Sequence, residues 1–102
     1  MLQFRPNGKR PIMRKTYEAA LKKCMHDKIL NERKSLHITQ EKMAELLIMD
    51  IRSYVDIENG KNMCGTLTFV MYLLHFCDDP KELMDEIEKV FLMAEGETDA
   101  EE

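Results

Sequence analysis

The 102-residue chain reads as an all-α, five-helix domain. Three observations carry that reading. Apolar residues recur at three- and four-residue spacing through most of the chain, the pattern of helices with one buried face. Residues that start helices (Thr16, Thr39, Asp50 and Asp79) stand immediately before those stretches. The composition is 44% hydrophobic with only three Pro and four Gly, which is globular and leans towards helix. A chain of this length closes one hydrophobic core, so a single domain is expected.

Residues 1–15 carry Pro6, Asn7-Gly8, Pro11 and five basic side chains, a run of turn signals that predicts a basic flexible arm. Thr16 then caps a first helix whose apolar face is Tyr17, Ala20, Leu21, Cys24, Met25 and Ile29; it is expected to reach about Lys34, with Asp27 a point where it could break. Thr39 caps a short second helix that buries Met43, Ala44, Leu46 and Leu47. Asp50 caps a third, from Ile51 to about Glu58, in which Tyr54 and Ile57 face inward and Asn59-Gly60 supplies the stop. The fourth, Thr66 to Cys77, is apolar nearly all round, with Leu67, Val70, Met71 and Leu74 on one side and Phe69, Tyr72 and Phe76 on another. Asp79-Pro80-Lys81-Glu82 opens the fifth, with a carboxylate cap, Pro at the first position and a capping-box Glu. Residues 16–94 thus form the domain, and the acid-rich stretch 95–102 is expected to be a disordered tail.

The formal charge of -4 conceals a polar division. Residues 1–36 hold ten Lys/Arg against three Asp/Glu, whereas residues 37–102 hold five against sixteen, five of those acids lying in the last eight residues. The folded part is therefore near neutral, and net charge does not argue against a nucleic-acid partner. Helices two and three, joined by a turn of three or four residues, have the geometry that sends the second helix into the DNA major groove while the first braces it. Ala44 supplies the small side chain that a close crossing of the two helices needs.

At these residues the chain resembles the lambda-repressor/Cro-like (Xre) helix-turn-helix family. The resemblance runs from about Ile29 to Cys77 and rests on RKSLHITQEKMAELL, SYVDIENGK and TLTFVMYLL, of which ITQEKMAELL followed by DIENGK is the most specific part. It implies a lambda-repressor-like DNA-binding domain, here with an N-terminal helical extension. It further implies that Gln40, Asn59 and Lys61 hold the phosphate backbone, and that Arg33 pairs with Glu58 to tie the first helix to the end of the third. Base contacts would come from Ile51, Arg52 and Asp56, with Ser53 and Val55 close by. Arg52 is the strongest of these, because an arginine can give two hydrogen bonds to guanine. Asp56 could accept from cytosine or restrain Arg52 one turn back. The family has Gly where this chain has His37 and Ile48. A β-branched residue is costly in a left-handed turn, which leaves room for a rebuilt one.

The expected function is that of a sequence-specific transcriptional regulator, a repressor acting through occupancy as a homodimer on double-stranded DNA. The alternative is a protein-interaction module of the same fold, partner to a toxin or mobile-element protein, with weak or no DNA binding. Leu83, Met84, Ile87, Val90 and Phe91 form the candidate dimer interface, while the first helix covers Phe69, Tyr72 and Phe76. The basic arm either tracks phosphate or is a solvated tail. No Gly-rich phosphate loop, GxSxG or HExxH is present, so no enzyme, cofactor or small-molecule substrate is expected. Cys24, Cys64 and Cys77 form no CxxC pair and the histidines have no metal spacing, so reduced thiols, a cytoplasmic location and no metal are expected. No apolar run approaches the ~18 residues of a spanning helix, so no membrane association is expected.

Overall fold

A computed structural model describes the backbone of residues 11–100 and the side chains of residues 14–96. Among the described residues the chain forms five helices and no strand: α1 (Pro11–Leu36), α2 (Gln40–Leu46), α3 (Ile51–Glu58), α4 (Thr66–Phe76) and α5 (Pro80–Ala100). Three of the four caps read from the sequence form as expected, whereas Thr16 lies within α1 and does not start it. Thr39 Oγ1 accepts from the Lys42 amide at 3.0 Å, Asp50 Oδ2 from the Ser53 amide at 3.0 Å, and Asp79 Oδ1 from the Lys81 amide at 3.1 Å.

Two boundaries differ from the sequence reading. α1 begins at Pro11 and runs unbroken through Asp27. Proline suits the first turn of a helix, where its missing N–H has no partner to lose, so residues 11–15 extend the helix and do not belong to an arm. The rest of the expected arm, residues 1–10, lies outside the described residues. At the other end α5 continues past residue 94 to Ala100. Tyr17 Oη donates to Glu95 Oε2 at 2.7 Å, so this acid anchors α5 to α1 where a solvated tail was expected.

α1 and α5 lie antiparallel. Tyr17 packs on Phe91 with ring centroids 4.9 Å apart and the rings tilted by 39°, and about three turns further along α1 Lys28 pairs with Glu86. The core lies between this pair and the shorter helices. Met25 and Ile29 of α1, Met43, Ala44 and Leu47 of α2 and its end, Tyr54 and Ile57 of α3, Tyr72 of α4, and Leu83 and Ile87 of α5 are all buried. Phe69 and Phe76 pack against it together with Leu21 and Cys24, so the Phe69/Tyr72/Phe76 stripe faces inward as expected.

The first three helices all end in the same way. In each, the first residue past the cap takes a left-handed conformation and donates to the carbonyl three back, and the next residue donates to the carbonyl five back. The pairs are His37 to Lys34 and Ile38 to Arg33, Ile48 to Glu45 and Met49 to Ala44, Gly60 to Ile57 and Lys61 to Asp56, at 2.9–3.4 Å. The left-handed residues are His37 (φ 57), Ile48 (φ 56) and Gly60 (φ 77), so the turns are not rebuilt around the missing glycines. What holds Ile48 there is its neighbourhood: Leu47 before it is fully buried and Met49 after it packs on the core. The left-handed conformation costs an L-residue roughly 1–2 kcal/mol, and more at a branched Cβ. Ile48 itself is 63% exposed, so its side chain returns little burial. Ile48→Gly should therefore raise stability by about 1 kcal/mol, after allowance for glycine's greater unfolded-state entropy. A urea midpoint that moves up at constant slope is the expected reading; an unchanged or lower midpoint would show that the turn is not strained.

Candidate functional site

The candidate site is an exposed helix face beside the Ile48 turn. α3 carries it. Its inner side is closed by Tyr54 and Ile57, which are buried, so the helical period leaves Ile51, Arg52 and Ser53 exposed at its start and Val55 and Asp56 half-buried one turn on. Asn59 and Lys61 are exposed just past its end. The residues singled out from the sequence thus fall on one face, with three refinements.

Ser53 is engaged in the cap of its own helix. Its Oγ donates to Asp50 Oδ1 at 2.7 Å while its amide donates to Oδ2, and these bonds hold the Asp50 carboxyl below its usual range. Arg52 and Asp56 form no ion pair with each other, so the guanidinium of Arg52 projects from α3 with no carboxylate partner among the described residues. Gln40, expected at phosphate, turns inward: its Nε2 donates to Glu58 Oε1 at 2.9 Å. A side-chain amide beside a buried carboxylate finds there a charge-assisted acceptor that an exposed position lacks.

Behind the face stands a polar lock. Glu58 is 7% exposed and accepts from Arg33 Nε at 2.7 Å and Arg33 Nη2 at 2.9 Å, a bidentate pair of the kind the family resemblance implies. Tyr54 Oη, one turn before it, donates to the same carboxylate, and Arg33 Nη1 also holds the Ile38 carbonyl at 3.1 Å. Each carboxylate oxygen thereby accepts two hydrogen bonds, Oε1 from Arg33 and Gln40 and Oε2 from Arg33 and Tyr54. Burial pushes the Glu58 carboxyl up, but the hydrogen bonds from Arg33, Tyr54 and Gln40 outweigh it and bring the group down to about 2. Burial and the Glu58 hydrogen bond push the Tyr54 phenol well up, so it remains a donor. His26 adds a second tie from α1, its Nδ1 lying 3.4 Å from the Ile57 carbonyl. The sequence carried a signal for Tyr54, which precedes Glu58 by one helical turn; it carried none for Gln40.

The dimer interface expected on α5 requires correction. Leu83 and Ile87 are buried in the core, and Val90 and Phe91 are half-buried beside α1; only Met84 of that set is exposed, at 41%. The reason is α1, whose length lets it cover the stripe that a shorter first helix would leave open. Among the described residues α5 leaves Leu92 and Met93 in solvent besides Met84, and α4 leaves Leu67, Val70 and Leu74 there.

Chemistry at the surface is sparse. Burial pushes the Cys24 and Cys64 thiols up, away from the reactive thiolate. Among the described residues no three His, Cys, Asp or Glu side chains converge as metal ligands, and no helix is long and apolar enough to cross a membrane. No known protein family, curated protein or solved structure matches the chain.

Proposed function

We propose that the chain is a sequence-specific DNA-binding transcriptional regulator of the lambda-repressor-like kind, reading the major groove with α3 and repressing by occupancy. The observation that carries this reading is Arg52: an exposed guanidinium without a carboxylate partner, on the outer face of a helix whose inner face is locked to α1 through Glu58 and Arg33. A rigid platform matters because bidentate pairing to a base edge tolerates little misplacement. Asn59 and Lys61 would position the helix on phosphate, Ile51 would meet a thymine methyl, and Val55 and Asp56 would border the same bases. Two chains would occupy the half-sites of a two-fold operator.

The test is duplex binding against salt, on operators obtained by selection from genomic fragments. Arg52→Ala should lose about 1–3 kcal/mol of discrimination between operator and scrambled duplex, whereas Lys61→Ala should weaken both alike and make the salt dependence shallower by about one ion. Saturation should fall at two chains per operator. A second reading is favoured by the solvent-facing Leu67, Val70 and Leu74, which suit a protein partner. Absence of duplex binding even at low salt would sink the regulator and leave that module.

A further inference from the structure

We propose that Lys15 and Lys22 of α1 join Lys61 in a second grip on DNA, holding backbone phosphates outside the stretch that α3 reads; this rests on the DNA-binding reading above. Lys15, Glu18, Ala19 and Lys22 recur at the spacing that places them on one face of α1. That face lines a shallow groove whose opposite wall is Lys61 and Asn62, the segment leaving α3. The small Ala19 keeps the groove open between the two lysines.

The charge in the groove is unbalanced. Among the described residues Lys15, Lys22 and Lys61 enter no ion pair, and the one carboxylate present, Glu18, is met by Arg14 with Nε 3.4 Å from Oε1. Three ammonium groups held together without counter-charge repel one another in the free protein, and a polyanion relieves that repulsion. Both walls are rigid. The Lys61 backbone N–H donates to the Asp56 carbonyl at 2.9 Å, and the two α1 lysines stand on a continuous helix. Lys22 and Lys15 lie about 16 and about 27 Å along α1 from Arg33, at a rise of ~1.5 Å per residue. They therefore sit well along α1 from the Arg33–Glu58 lock, beside the segment that follows α3. Lys15 and Lys61 are exposed, so the groove suits phosphates strung along a strand better than an enclosed small anion.

The experiment measures duplex affinity of the full chain across salt concentration for wild type, for Lys15→Ala/Lys22→Ala, and for Lys23→Ala/Lys89→Ala. The last pair removes the same charge, Lys23 being engaged with Asp27 and Lys89 exposed on α5. The first double variant should lower the log–log salt slope by about 2, at about 0.9 for each phosphate no longer neutralised, weaken operator and scrambled duplexes equally, and leave discrimination by Arg52 intact. The second should keep the wild-type slope. A wild-type slope in Lys15→Ala/Lys22→Ala, or the same fall in both double variants, would overturn the second grip and leave the reading of α3 standing. No duplex binding by wild type would overturn both.

Discussion

Glu58→Ala is expected to cost about 3–5 kcal/mol, a large share of the roughly 5–15 kcal/mol that holds a domain of this size. Arg33 is only 18% exposed, so removing its partner strands a guanidinium in a place that water reaches poorly. The Tyr54 hydroxyl and the Gln40 amide lose their acceptor at the same time. The cost arises from orphaned donors more than from the worth of the pair itself. Replacing both charges together, Arg33→Met with Glu58→Leu, should recover the share due to the stranded guanidinium, because no buried charge is left unpaired. It should not recover the share of the Tyr54 hydroxyl, the Gln40 amide and the Ile38 carbonyl, which stay without these partners. Urea unfolding of the single and double variants decides the matter. A Glu58→Ala midpoint equivalent to a deficit below about 1 kcal/mol would show that the network does not hold α3 to α1.

Acid should act on the same group. The Glu58 carboxyl falls from an ordinary value of 4.5 to about 2 in the folded chain. A depressed folded value means that the native state binds the proton less readily than the unfolded state, so stability rises with pH across this interval. The contribution is complete above about pH 4.5 and is lost as pH falls through about 2, amounting to roughly 3 kcal/mol at ~1.36 kcal/mol per unit. Asp50, held low by Ser53, works in the same direction at the start of α3. Urea midpoints taken from about pH 5 to about pH 2 should fall steeply for wild type. Glu58→Gln, already weakened at neutral pH, should show a much flatter profile; equal slopes would place the acid sensitivity elsewhere.

Much of the site was legible in the chain itself. The Thr39 and Asp50 caps, the burial of Tyr54 and Ile57 and the stop at Asn59-Gly60 all follow from residues within about one helical turn of one another. The Arg33–Glu58 pair spans 25 residues, beyond the reach of any local pattern, and was expected only from the family resemblance. Ser53 illustrates the limit. Its position on the outer face was readable, but its hydroxyl had two suitors, a nearby carboxylate and an external partner, and only the folded geometry shows Asp50 taking it.

Local sequence set the starts of α2, α3, α4 and α5 and the stop of α3, the inward side of α2 and α3, and the exposed face of one short helix with Arg52 upon it. Those properties are fixed by hydrogen bonds and side-chain periods that act locally. Tertiary structure alone decided that Gln40 turns inward to Glu58, that α1 covers Leu83 and Ile87 and so removes them from any interface, and that Ile48 is forced into a glycine's conformation. It also brought Lys15 and Lys22 beside Lys61. Each of these depends on which helix faces meet across a long stretch of chain, a matter settled by the packing of the whole core and invisible to any window of one turn.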